Sequence, residues 1–441
     1  MGDRYPTARA GWTLTVMLTI AYIFSYLDRN ILGLLIGPIK QDLGLRDDQL
    51  GYVIGPAFAI FYATMGLPFG WLADRVKRTR LVSAGIAFWS LATAVTGFVT
   101  GFWQLFAARM AVGIGEAVLS PSAMSLIGDS FPEEKRARPV AFYSAALSLA
   151  VGLSAIATWG IISWAKGSAT IAVPLLGDLK PWQFSFVAVG LPGLLIALIF
   201  LLLQEPPRQP AVKGEEGNGV RDAARLIGGN WQAYLGVILL VCVMTTVTYG
   251  QGSFGPAAFN RAYGWPTEIY ALYNGIGTMI VGPGSLVLTS WLIMRMQAKG
   301  MSDAPYQVSM WAFILMVVLC TLPFLVNIPV ATLALNILST IPLSMLTAGA
   351  MLALLAITPS SVRGQVVALY YVAINITGLF LGPTTVGWLS TNLFGEANLR
   401  WAIAILPVIF GVIPLILLPA IGRAYRLRLA ALEATSTSAL I

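Results

Sequence analysis

Histidine is absent from this 441-residue chain. Any proton transfer must therefore run on carboxylates, with Arg, Tyr or water assisting, and no imidazole can serve as a base or metal ligand. Charge is scarce too: 10% of residues are Asp, Glu, Lys or Arg, against about a quarter in a soluble domain. The two cysteines, Cys242 and Cys320, sit in apolar runs without metal-ligand spacing and say nothing about redox compartment. No phosphate-cradling loop ends in Lys-Ser/Thr, so ATP drive is not expected. Without a nucleophile–base pair or a metal cluster, an enzyme is not expected either, and no cofactor is called for. Met1 to Ala10 lacks a cleavable signal pattern, so the first apolar run should stay in place. The net charge of +8 would suggest nucleic acid in a soluble protein. Here its placement along the chain matters more than its sum, and no nucleic-acid partner is expected.

What the chain has instead is apolar length, with 57% of residues hydrophobic. Runs bounded by charge or by Gly/Pro clusters fall at 11–36, 49–72, 80–99, 103–129, 139–163 and 183–203, then at 231–254, 267–296, 305–327, 329–357, 364–390 and 400–422. Each is near the ~20 residues that cross a bilayer. The expected fold is an all-α membrane protein of twelve transmembrane helices in two pseudo-symmetric six-helix bundles. Residues 1–203 form the N-terminal bundle, 204–229 a cytoplasmic linker, 230–422 the C-terminal bundle and 423–441 a cytoplasmic tail. An amphipathic segment is expected at Val220–Ile227 within the linker.

The bases choose the orientation. Arg4, Arg9, Arg75, Lys77, Arg78, Arg80, Lys135, Arg136 and Arg138 fall on one side, joined by Arg208, Lys213, Arg221, Arg225, Arg295, Lys299, Arg363, Arg423, Arg426 and Arg428. Only Lys40, Arg46, Lys166, Lys180, Arg261 and Arg400 fall on the other. Such a bias places both termini in the cytoplasm, with the chain in the inner (plasma) membrane. The halves also look related. Phe131–Tyr143 aligns with Thr358–Tyr370, matching Pro132, Arg136, Val140, Ala141 and Tyr143 to Pro359, Arg363, Val367, Ala368 and Tyr370. Both copies lie between the fourth and fifth span of their half, as expected of parallel repeats around a central site.

Charges inside the membrane are the strongest functional signal. Asp28 and Arg29 interrupt the first run, and a charge at mid-bilayer costs at least ~2.5–3.5 kcal/mol on insertion scales. Adjacent helix positions point about 100° apart, so the two cannot neutralise each other on one face. Arg109 and Glu116 share a face of the fourth run, with Gly113 between them permitting close helix approach. The expected pairs are Asp28 with Arg109 and Arg29 with Glu116. A carboxylate there could swap between a desolvated and an arginine-paired state as a cavity opens. Glu116 is the expected main proton carrier, Asp28 the runner-up, and Arg29 the group to hold a phosphate or carboxylate head.

The loop Gly70 to Arg80, reading GWLADRVKRTR, resembles the signature loop of the major facilitator superfamily, departing from it at Lys77. Its Asp74, Arg75 and Arg78, with Asp129, Arg136 and Arg138, are the expected gating residues. Asp74 could dock on the positive N-terminal end of the eleventh helix near Gly364. With YLDRN in the first run, RMAVGIGEAVLSPSAMSLIGDSFP looks like the Spinster group of that superfamily, the sphingolipid and lysolipid carriers. The resemblance implies a lipid-like amphiphile as substrate, proton-linked transport, and Asp28, Arg29, Arg109 and Glu116 as coupling and substrate residues. Proton-coupled carriage of organic anions or drugs is the alternative. Partners are then the amphiphile and membrane lipids, with the protein a monomer. Uncharged polar residues Tyr249, Tyr273, Asn336, Tyr370 and Asn375 are expected on the cavity wall, and Gly378 with Gly382-Pro383 is expected to give tight packing and a bend.

Overall fold

The computed structural model describes residues 5–165, 169–174, 176–208, 219–359 and 362–438. Arg4, Lys166, Lys213, the middle of the linker and the last residues of the tail lie outside them. The first five apolar runs become α1 (Ala8–Leu34), α3 (Asp47–Ile54) with α4 (Pro56–Ala73), α5 (Arg78–Thr96), α6 (Phe102–Glu116) with α7 (Leu119–Ser130), and α8 (Glu133–Ala165). A short α2 (Ile36–Leu43) follows α1, and a hairpin of β1 (Ile171–Val173) and antiparallel β2 (Gly177–Leu179) precedes α9 (Pro181–Leu202). Then come α10 (Gly219–Gly229), α11 (Trp231–Tyr263), α12 (Thr267–Gln297), α13 (Ala304–Leu325), α14 (Pro329–Leu338) with α15 (Thr340–Ala356), α16 (Arg363–Leu389) and α17 (Leu399–Ser438). Among the described residues, nine helices are long and apolar enough to cross a membrane. With α3–α4, α5 and α8 the architecture is that of a twelve-helix bundle protein.

Proline explains the broken spans. Pro56 has no N–H and pushes Gly55 out of helical geometry, separating α3 from α4. Pro121 and Pro342 each stand third in the second piece of their span, α7 and α15, where neither can donate to the carbonyl four residues back. The fourth and tenth spans thus break alike.

Two compact units emerge. The first comprises Met1–Pro210, Gly252–Met279 and Pro383–Leu399; the second comprises Ala211–Gln251, Ile280–Gly382 and Arg400–Ile441. In the first, α5 lies along α9, in close approach at Gly190, where a Cβ would stand 2.6 Å from the Ser90 carbonyl oxygen. In the second, Val241, Phe313, Met316, Leu346 and Leu354 form part of one buried core. There the Gly378 and Gly382 positions bring α16 against Thr245 and Thr246 of α11, as the glycine spacing requires.

The internal repeat is visible in bonds. Arg136 donates Nη2 to the Phe131 carbonyl and Arg363 donates Nη2 to the Thr358 carbonyl, both at 3.4 Å. The following Tyr143 and Tyr370 are both buried. The amphipathic linker segment is helical, as α10, with Ala223 fully buried in the second unit. The expected tail needs correction. The last helix does not stop at 422 but runs to Ser438, because Tyr425 and Leu429 are buried and Tyr425 donates its hydroxyl to the Ala353 carbonyl at 3.1 Å.

Candidate functional site

All four intramembrane charges meet inside the first unit. Asp28, Arg109 and Glu116 are each about 2% exposed or less, and the Arg29 side chain is 12% exposed. Arg29 Nε donates to Glu116 Oε2 at 2.6 Å, so that expected pair forms. Ser25, one turn before Arg29 on the same face of α1, donates its hydroxyl to the same oxygen at 2.7 Å. The rings of Tyr62 and Phe58 lie under the Arg29 guanidinium, with centroids 4.6 and 4.9 Å from Cζ. Such cation–π contacts favour a partly desolvated guanidinium. Phe58 is positioned by Gly113: a Cβ at that position would stand 2.7 Å from the Phe58 carbonyl oxygen, so only glycine lets α4 come this close to α6.

The second expected pair needs correction. Arg109 Nη1 donates to the main-chain carbonyl of Asp28 at 3.1 Å rather than to its carboxylate. The Asp28 carboxyl turns toward Thr93 of α5, and its Oδ1 has no hydrogen-bond partner among the described residues. Arg109 Nε and Glu116 Oε1 are likewise buried and unpartnered. Chemically the arrangement offers one carboxylate already held by a guanidinium and a second, on Asp28, that is buried with one oxygen unpartnered among the described residues. Spacing alone could have found Ser25, four residues from Arg29. Phe58, Tyr62 and Thr93 carry no signal that separates them from other apolar-helix residues.

A second charged cluster escaped the sequence reading. Asp47, whose side chain is fully buried, takes both Arg261 nitrogens (2.5 and 2.9 Å), Lys40 Nζ (2.8 Å) and the Ser390 hydroxyl (2.7 Å). Lys40 also pairs with Glu396, and Arg261 donates to the Glu396 carbonyl at 2.8 Å. The first N–H groups of α3 are satisfied by Glu396 Oε1 (Asp47 N–H, 2.7 Å) and Thr391 Oγ1 (Asp48 N–H, 3.0 Å). Those partners come from a π-helical turn, Ser390–Phe394, and the segment after it. Burial alone would raise the Asp47 pKa, but Arg261, Lys40 and Ser390 outweigh it and hold the carboxyl below its ordinary range.

The residues expected to gate divide. Arg78 is 2% exposed and is clasped by Asp129, by Glu205 (2.8 Å), by Ser125 (2.8 Å) and by the Pro206 carbonyl (3.2 Å). Asp129 thus takes Arg78 rather than Arg136 or Arg138, the partners its place at the end of the fourth run suggests. Arg136 caps the Phe131 carbonyl, Arg138 is exposed, and Arg75 stacks on Trp71 with Cζ 3.8 Å from the ring centroid. The Asp74 side chain is exposed, while Arg208 closes the end of α4 by donating to the carbonyls of Ala73, Asp74 and Val76.

Glu205 gives a pH prediction. Burial would raise its pKa, but the Thr79 N–H and the Arg78 guanidinium prevail and hold it below the usual carboxylate range. Its stabilisation is therefore complete above the unfolded value of about 4.3 and is lost as pH falls through the lower folded value. Glu205→Gln should melt lower than wild type at pH 7, by an amount worth on the order of 1–3 kcal/mol, with the gap closing in strong acid. Thermal melts from pH 7 to pH 3 check it, and a constant gap would refute it.

The expected cavity wall is partly redrawn. Tyr249 and Asn336 are half-buried and Tyr273 is 53% exposed. Tyr370, at 1% exposure, packs in the buried core of the second unit. Asn375 turns its amide back to the Tyr371 carbonyl at 2.8 Å.

Residues 18–301 match the family model described as Major Facilitator Superfamily. The chain is 27% identical over 301 residues to an MFS-type efflux pump of Mycolicibacterium smegmatis, covering 67% of this chain and 65% of the pump. It is 29% identical over 223 residues to a D-galactonate transporter of Escherichia coli, covering 50% and 48%. It is 34% identical over 203 residues to Protein spinster homolog 1 of Rattus norvegicus, covering 45% of this chain and 36% of that protein. The matched stretches thus span less than two thirds of each relative's own length. In fold, it is similar to a bacterial homolog of the human lysosomal transporter Spinster, solved inward-facing and unoccupied. That likeness has a TM-score of 0.79 at 22% identity, over 96% of this chain and 98% of the other. The chain belongs to the Major Facilitator Superfamily, and its long apolar helices are those of an integral membrane protein.

Proposed function

We propose that this chain is a secondary transporter, coupled to protons, that moves a lipid-like or lysolipid amphiphile with an anionic head by alternating access. The observation that supports the reading most is the Arg29–Glu116 pair seated on the Phe58 and Tyr62 rings beside a buried Asp28 whose Oδ1 is unpartnered among the described residues. An anionic head group approaching Arg29 competes with Glu116 for it. Once displaced into a dry site, the Glu116 carboxylate gains by taking a proton. Substrate arrival and proton uptake are then linked through one guanidinium. With both termini in the cytoplasm, the Lys40–Asp47–Arg261–Glu396 cluster lies on the outer side and serves as its latch, and Arg78, Asp129 and Glu205 brace the inner end of the N-terminal bundle. The protein works as a monomer without a resident cofactor.

Carriage of an organic anion or drug is the second reading, favoured by the similarity to a D-galactonate transporter and an efflux pump. Reconstituted protein separates the two. Flux of a fluorescent lysophospholipid under an imposed pH gradient should be competed by single-chain amphiphiles with a phosphate head and not by galactonate. Competition by galactonate alone would overturn the lipid reading in favour of the second.

A further inference from the structure

Four buried threonines on the membrane helices of the first unit share one habit. Thr15, Thr19, Thr96 and Thr158 each return the hydroxyl to the carbonyl four residues back, at 2.7 to 2.9 Å. That is the ordinary way a helix satisfies a hydroxyl in apolar surroundings. Thr93, one turn before Thr96 on α5, does not. It is 1% exposed, and its Oγ1 lies near the Asp28 carboxyl group while making no hydrogen bond of ordinary geometry among the described residues. Asp28 Oδ1, Arg109 Nε and Glu116 Oε1 are unpartnered in the same neighbourhood. Buried polar atoms left without protein partners are characteristically satisfied by internal water, which needs two or more such groups to hold it.

We propose that Thr93 is a positioning residue of the coupling site, its hydroxyl and internal water joining Asp28 to Glu116 in one hydrogen-bonded chain past Arg109. The inference rests on the proton coupling proposed above and gives α5 a part in it. Asp28 is faced by Arg109 and Glu116 from α6, by Thr93 from α5 and by Arg29 on its own helix, while Tyr143 of α8 lies near Arg29. A proton that enters at one carboxyl leaves at the other. Each oxygen between them receives one proton and gives up one, so the chain recovers its composition and only the charge has moved. Arg109 Nε–H donates and orients, and no proton leaves it.

Thr93→Val keeps the shape and removes the hydroxyl; Thr93→Ser keeps the hydroxyl. In proteoliposomes, Thr93→Val should slow gradient-driven lysophospholipid flux by about tenfold or more and shift the midpoint of its pH profile. Downhill exchange without a gradient should stay near wild type, and Thr93→Ser should restore both rate and profile. A wild-type pH profile in Thr93→Val overturns the proposal, as does a Thr93→Ser variant that fails in the same way. Should Thr93→Val not fold, Thr93→Ala makes the same comparison. Glu116→Gln, run in parallel, separates the two claims. If it abolishes gradient drive while Thr93→Val does not, only the role of Thr93 fails; if it leaves drive intact, the coupling reading itself fails.

Discussion

Glu116→Gln should abolish accumulation driven by a pH gradient while leaving exchange down a substrate gradient close to wild type. Glutamine keeps the shape of the side chain, and its carbonyl oxygen can still accept from Arg29 Nε and the Ser25 hydroxyl, the two bonds that Oε2 accepts now. What it loses is the ability to take and release a proton. With one proton moved per substrate, each pH unit across the membrane supports about a tenfold concentration ratio, because it is worth about 1.4 kcal/mol. The variant should hold that ratio near one at every gradient. It also removes the counter-charge of Arg29, so an anionic head group should bind at least as tightly as before. The paired readout is decisive: retained gradient drive, or lost exchange with it, would remove Glu116 from coupling.

The second large effect is expected at the Asp47–Arg261 cluster. Arg261→Met strips the bidentate partner from a fully buried Asp47 carboxylate. Breaking a buried ion pair on one side costs about 3–5 kcal/mol, since the remaining charge is stranded. Lys40 and Ser390 still reach Asp47, which places the expected loss at the lower end of that range. The double variant Asp47→Leu, Arg261→Met removes one charge of each sign and leaves the Lys40–Glu396 pair in place. It should therefore melt higher than Arg261→Met alone. Both variants should expose a cysteine substituted at Ser390 to an impermeant thiol reagent faster than the same cysteine in the wild-type background. Equal labelling in all three would show that the cluster braces the fold without closing anything.

The two kinds of site differ in how legible they are in the chain. Asp28, Arg29, Arg109 and Glu116 stand out because each interrupts an apolar run, where ionised groups are rare, and helical spacing then suggests which could meet. The Arg29–Glu116 pair follows from that reasoning. The direction of the Asp28 carboxyl does not, since it depends on a side-chain torsion and on the α5 surface it meets. The latch was invisible for another reason. Lys40, Asp47, Arg261 and Glu396 read as ordinary loop charges, and Glu396 lies 349 positions from the Asp47 N–H that it satisfies. Twelve spans could be read from hydropathy, but their breaks could be read only from proline placement. The end of α17 could not be read at all, because Arg423, Arg426 and Arg428 look like a polar tail.

That last helix has a practical bearing on anyone who trims or tags the protein. A truncation chosen from hydropathy would cut after residue 422 and discard Tyr425 and Leu429, which are buried in the core of the second unit, together with the Arg428 contact to the Ile357 carbonyl. Sixteen residues of helix from 423 to 438 make a rod of about 24 Å. A reporter joined at Ser438 would be carried by that rod, which Tyr425 and Leu429 root in the second unit.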